Sequence, residues 1–153
     1  MENKKTQKTI PEKFEEIKVY FPNENLSKML VSKVKINEKR DLRDRLNSIL
    51  KIIREKTKDG IYYTEDKKIE FMSEYLEIEN VYLDDGALYI DFNMDFRRDF
   101  ITKEHELYFT YSIVNSFVGI EKIKKIKFLI FGKEINELKF YKLNDFLYKY
   151  EKI

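Results

Sequence analysis

The chain has no cysteine, one histidine, two prolines and four glycines in 153 residues. Without cysteine there is no disulfide, no thiolate nucleophile and no cysteine-based zinc site. A single histidine rules out a multi-histidine metal centre. Scarce glycine and proline leave little material for long loops and favour regular elements. No apolar run approaches the length that a bilayer-spanning helix needs. Neither sign of charge dominates: 30 Lys and Arg face 28 Asp and Glu, for a formal charge of +2 and a pI of about 8.5. A dedicated nucleic-acid binder is more basic and more clustered, so no nucleic-acid partner is expected. What is present is a chain long enough for one domain with a substantial core, rich in Tyr and Phe.

Residues 1–14 are polar and lysine-rich and read as a disordered tail or linker, with residues 15–153 as a single α+β domain. Met1–Thr9 lacks an apolar core and is not a signal peptide. Ile17–Asn23 reads as a first strand stopped by Pro22-Asn23, and Met29–Ile36 as a second. Asn37 is placed to cap a helix running to Lys58, in which Leu42, Leu46, Ile49, Leu50 and Ile53 form one apolar stripe. Asp59-Gly60 reads as its left-handed C-terminal cap. Ile61–Tyr75 has no period and reads as a loop with a short helical turn.

The best-determined segment is a hairpin, Val81–Phe92, closed by the two-residue turn Asp85-Gly86. That turn pairs Leu83 with Leu88 and Val81 with Ile90 on one face, and Tyr82 with Tyr89 on the other. Leu76 and Ile78 fall on the wrong parity, which predicts a bulge near Glu79–Asn80. A second helix follows at Glu104–Val118, ended by Gly119, and a strand at Lys124–Phe131 with apolar residues on both faces, as a central strand has. Leu138, Phe140, Leu143, Phe146 and Leu147 form a tail able to pack back on the domain. The sum is an α+β fold, mainly an antiparallel sheet with two helices packed on one face.

Little in this pattern carries chemistry. Asp91-Phe92-Asn93-Met94-Asp95 imitates the start of a calcium loop, but Phe96 stands where glycine is needed and Thr102 where a bidentate Glu is needed. His105, beside Glu104 and Glu106 in the first turn of a helix, reads as a surface residue. There is no Gly-rich phosphate loop, nucleophile elbow or Cys/His pair. The run Lys122–Lys127 alternates base and apolar residue as a solvated strand face does. No catalytic residue, metal or cofactor is expected.

The second helix carries more apolar surface than one stripe requires. Leu107, Tyr111, Val114 and Val118 make a core stripe, while Tyr108, Phe109, Ile113 and Phe117 spread around the cylinder. Such a helix is either sandwiched or offers a second face to a partner. Phe109, Ile113 and Phe117 are therefore the candidate interaction surface.

Gly86-Ala87-Leu88-Tyr89-Ile90-Asp91-Phe92, the helix at Glu106–Val118 and the strand Ile126–Phe131 ending in Gly132 together resemble the GerMN domain of bacterial sporulation and germination proteins. Val19-Tyr20-Phe21-Pro22-Asn23 is similar to that family's first strand, and Arg40 with the striped helix after it to its next element. The likeness runs from Ile17 to Leu147. The chain departs from the family where a Gly-Pro usually follows the first helix: it has Lys56–Gly60 there and a proline-free Ile61–Asn80.

The resemblance implies a non-enzymatic, extracytoplasmic module of the cell envelope, commonly carried by lipoproteins or membrane-anchored proteins. Some members build rings between membranes during sporulation. It implies a protein partner or self-assembly, with membrane contact only through an anchor absent from this chain. The alternative class is a small-ligand-binding or enzymatic α+β domain, with a pocket between helix and curved sheet lined by Tyr82, Tyr89 and Tyr111.

Overall fold

The two-residue turn sets the register of the central hairpin. In the computed structural model, which describes residues 13–37 and 40–153, Asp85 (φ 50°) and Gly86 (φ 84°) are both left-handed. This is the turn whose twist matches paired strands. It joins β5 (Ile78–Asp84) to β6 (Ala87–Phe92), with Leu83 opposite Leu88, Val81 opposite Ile90 and Tyr82 opposite Tyr89. The register shifts between Ile78 and Asn80, at the predicted bulge.

Earlier in the chain, β1 (Phe14–Pro22) and β2 (Met29–Asn37) form a separate antiparallel hairpin. The expected tail falls largely outside the described residues, and its last residue, Phe14, already belongs to β1. Asn37 does not cap the next helix: it closes β2 opposite Phe14. The cap of α1 (Leu42–Lys56) is Asp41, whose carboxylate accepts from the Asp44 N–H at 2.9 Å. Asp41 directly precedes the first residue of the apolar stripe and so satisfies an orphan amide of the first turn. Leu46, Ile49, Leu50 and Ile53 are buried along that stripe.

At its other end, α1 is capped by Thr57, and Gly60 (φ 85°) lies three residues beyond. Gly60 leads into the following strand rather than capping the helix, its N–H donating to the Thr57 carbonyl at 3.0 Å. Residues 61–75, expected as a loop, contain a small hairpin of β3 (Ile61–Thr64) and β4 (Lys67–Ile69). Only Ile61 of β3 is buried, so the segment shows no alternation. A distant bond instead holds it, from the Tyr62 N–H to the Glu24 carbonyl at 2.9 Å.

The four-stranded sheet has the order β5-β6-β7-β8, with β7 at Lys125–Ile130 and β8 at Lys133–Glu134. β6 and β7 are parallel, an exception to the expected antiparallel sheet. Parallel neighbours need a crossover, and α2 (Lys103–Phe117) supplies it. Leu88, Ile90, Phe92, Ile126 and Phe128 are buried on one face, and α1 and α2 contribute to the same core. Phe131, expected on a strand face, sits instead in the β7–β8 turn with φ 51° and is 70% exposed.

At the centre of the core is a group of rings. Phe96 stacks on Phe109 at 5.1 Å and meets Phe92 and Phe128 edge-on at 5.0 and 5.9 Å. Phe100 meets Phe109 at 4.9 Å. Each such pair adds roughly 0.5–1.5 kcal/mol beyond area burial. Helix α2 is enclosed on several sides. Small Ser112 and Ser116, one turn apart, let β1 and β2 come close, and the Tyr20 N–H donates to Ser116 Oγ at 2.8 Å.

Candidate interaction surface

Enclosure of α2 removes the surface expected on it. Phe109, Ile113 and Phe117 are 2%, 0% and 0% exposed; all three are core residues. The correction has a simple cause. Helical spacing tells which side chains share a stripe, but β1, the sheet and the C-terminal segment decide how many stripes are covered.

The three tyrosines of the alternative pocket do not converge. Tyr82 is 60% exposed beside Tyr89, whose ring meets Phe146 edge-on at 5.8 Å. Tyr111 instead meets Tyr150 at 5.1 Å. A cavity of about 530 Å³ lies elsewhere, between the end of α1 and the β3–β4 hairpin. Its walls mix Lys51, Arg54 and Lys68 with Glu55, Glu70 and Glu74. Two of these charges are already paired, Lys58 with Glu55 and Lys68 with Glu24.

His105 is not a surface residue either. It is buried between Phe71 and Phe100, with centroid distances of 5.6 and 5.4 Å. Nε2 lies 2.8 Å from the Phe71 carbonyl, while Nδ1 accepts from the Ile101 N–H at 3.3 Å. That pairing assigns the proton to Nε2 in a neutral ring. Desolvation pushes its pKa below the usual histidine value, against a smaller opposing pull from the Phe71 carbonyl.

The neighbouring Glu106 is fully buried. Its carboxylate accepts from the N–H groups of Lys139 (2.6 Å), Phe140 (3.0 and 3.2 Å) and Tyr141 (2.9 Å). A buried carboxylate needs such donors, and here they fasten the C-terminal segment to α2.

Side-chain amides do similar work. Asn47 donates to the Ile78 carbonyl and accepts from its N–H at 3.0 and 2.8 Å. Asn115 does the same to Tyr150 at 2.9 Å for both bonds. Asn93 binds the Tyr75 carbonyl and the Glu77 N–H. In the calcium-like run, Asp91 accepts from the Gly132 N–H at 2.8 Å, and Asp95 caps the turn Phe96–Asp99 and grips Arg97 at 2.8 Å. Arg97 holds the Asp95 carboxyl below its usual range. The three side chains serve three different backbone segments.

What remains free is the outer face of the four-stranded sheet. Tyr82 and Tyr89 lie there, and Phe146 covers part of it under two cations, Lys125 Nζ at 4.2 Å and Lys127 Nζ at 4.7 Å from its centroid. Of the Lys122–Lys127 run, expected as a strand face, only Lys125–Lys127 lie in β7; Lys122 ends a tight 3-10 turn, and Ile123 and Ile126 are buried. In the sequence Phe146 is only part of an apolar tail, and nothing local marks it as the partner of these lysines.

The family model for sporulation and spore germination, Germane, matches residues 18–136. That is well over half of the chain. The chain belongs to this family. No curated protein matches it in sequence. The first GerMN domain of the Bacillus subtilis sporulation protein GerM is similar in structure, with a TM-score of 0.54 and 16% identity, over 92% of this chain and 98% of that one. The tandem GerMN domains of the same protein give 0.55 and 21% over 90% of this chain. The chain spans 46% of that tandem structure. At these identities the likeness establishes a shared fold. The matched family region runs from β1 through β8; the Glu106-held residues 139–141 follow it in the chain. Among the described residues no helix is long and apolar enough to cross a membrane.

Proposed function

We propose that this GerMN-family chain is a non-enzymatic protein-interaction and assembly module that acts outside the cytoplasm, in the cell envelope. Membership of a sporulation and germination family supports the setting. One observation carries the biochemical reading: apart from Arg45, which pairs with Glu15 and Glu121, and Ser112, which bonds Met29 Sδ, the buried polar side chains among the described residues are committed to backbone. Buried His105, Glu106 and Asn115, with half-buried Asn47, each hold a distant segment in place, whereas the aromatic and basic residues Tyr82, Lys125 and Lys127 look outward. A rigid scaffold presenting a sheet face and its edges is suited to binding protein. No observation favours the aromatic pocket.

A photo-crosslinking amino acid in place of Tyr82 or Phe131 tests the reading in cells making the natural full-length protein. Covalent adducts with an envelope protein or a second copy are expected, and protease added to protoplasts should reach the domain. Absence of adducts from both positions, or digestion only after lysis, overturns it.

A further inference from the structure

Two strands present long open edges, and their charges are opposite. β5 is the outer strand of the four-stranded sheet. Its two-residue turn makes Asp84–Ala87 and Tyr82–Tyr89 the hydrogen-bonded pairs, so Val81 and Leu83 turn their N–H and C=O groups away from β6. Among the described residues nothing bonds to those groups; α1 covers only the start of the strand, through Asn47 on Ile78 and Arg43 on Glu79. Glu79, Asp84 and Asp85 make this edge acidic.

The second open edge is β2. The Tyr20 N–H leaves the β1–β2 hairpin to reach Ser116, so its cross-strand partner Val31 also points its backbone away, as do Met29, Lys33 and Lys35 at the same phase. None of these four has a bond on that side among the described residues, and Lys33 and Lys35 have no ion pair there. Of the other long edges, β1 is held at Tyr20 by Ser116 and lies against α2, and β7 beyond β8 carries the mutual Ile126–Leu147 bonds at 2.8 and 2.7 Å.

We infer that copies of this chain add to one another head to tail, the β5 edge of one pairing with the β2 edge of the next. The inference rests on the assembly reading above and specifies its interface. Pairing of like edges is disfavoured by charge, because β5 with β5 sets acids against acids and β2 with β2 sets lysines against lysines. Only β5 with β2 brings opposite signs together. In the antiparallel register that places Leu83 opposite Val31 of the next copy, two aliphatic side chains that are 40% and 50% exposed in the single chain cover each other. The same register sets Lys33 opposite Val81 and carries Glu79, at the bulge, toward Lys35, and Asp84 and Asp85 toward Lys28. The interface joins different surfaces of each copy, so association runs past the dimer, to a closed ring or an open series.

Sedimentation velocity of the purified chain at low salt tests this. The wild type should pass from monomer to species larger than dimer as concentration rises, and salt should weaken association by screening. The Lys33→Glu/Lys35→Glu variant has two acidic edges, and Glu79→Lys/Asp84→Lys has two basic ones. Each alone should associate at least about tenfold more weakly, and an equimolar mixture should recover wild-type association, because every junction is again of opposite sign. Leu83→Pro removes an outward N–H that no strand of its own chain uses, and should also abolish association with an unchanged far-ultraviolet spectrum. Association indifferent to both charge variants and to Leu83→Pro overturns the edge interface while leaving an assembly module in place. A wild type that stays monomeric at every concentration also overturns it; adducts from Tyr82 to a different envelope protein would then still uphold the proposed function.

Discussion

Replacing Glu106 separates a structural carboxylate from a surface one. Its two oxygens accept from three backbone N–H groups of residues 139–141, at 2.6 to 3.2 Å, with the side chain fully buried. Glu106→Ala leaves three donors without an acceptor. A buried unsatisfied donor costs roughly 1–3 kcal/mol, and these sit in a partly buried loop that can turn toward water, so the lower figure applies to each. The expected loss is about 3–4 kcal/mol, a large share of the 5–15 kcal/mol typical of a domain. Glu106→Gln keeps one oxygen but turns an NH₂ group toward a backbone N–H; about 2 kcal/mol should be lost. With a urea slope near 2 kcal/mol/M, the midpoint should fall by roughly 1 M for Gln and 1.5–2 M for Ala. Urea unfolding followed by circular dichroism gives those midpoints, and hydrogen exchange should show the amides of 139–141 losing protection first. A Glu106→Ala protein within 1 kcal/mol of wild type, with those amides still protected, would refute the reasoning.

Four further outcomes follow from the same geometry. His105, the single histidine, should titrate by NMR below its usual value of about 6.5; because the unfolded chain then binds the extra proton first, its contribution to stability is complete above pH 6.5 and declines as pH falls below it. A measured value above 6.5 contradicts its desolvated site. Phe109→Ala should lose about 3–5 kcal/mol in thermal or urea unfolding, as removal of a core ring does, and a loss under 1 kcal/mol would return Phe109 to the surface. Gly60→Ala should be costlier than Gly119→Ala by calorimetry: both have positive φ, but a Cβ on Gly60 would lie 2.6 Å from the Ile69 carbonyl oxygen and one on Gly119 meets nothing within 4 Å, so equal melting shifts would contradict the steric argument. Asn47→Ala, which strips both backbone bonds from Ile78, should cost about 2–3 kcal/mol and expose the start of β5 to hydrogen exchange; unchanged exchange at Ile78 would count against it.

Legibility followed distance along the chain. The β5–β6 register, its bulge and the α1 stripe were readable because each depends on neighbours a few residues apart: a two-residue turn fixes which residues face each other, and a 3.6-residue period fixes which share a helix face. The β3–β4 hairpin was not readable, since its bond to Glu24 reaches 38 residues back to an exposed loop. The sequence placed the cap of α1 at Asn37; the pairing of Asn37 with Phe14 puts it in β2, and Asp41 caps the helix instead.

The candidate site shows the same division. Sequence alone determined that a strongly apolar helix follows the hairpin, and that the chain has neither a multi-histidine centre nor thiol chemistry. The tertiary structure decided which way that helix faces. Whether Phe109, Ile113 and Phe117 meet solvent depends on what other elements bring over them, for Phe109 the rings of Phe71, Phe96 and Phe100, and whether Glu106 is a surface charge or an anchor depends on residues 33–35 positions away. Periodicity encodes how a side chain is oriented on its own element. Burial and partnership are properties of what other elements bring to it, and those arrive only with the fold.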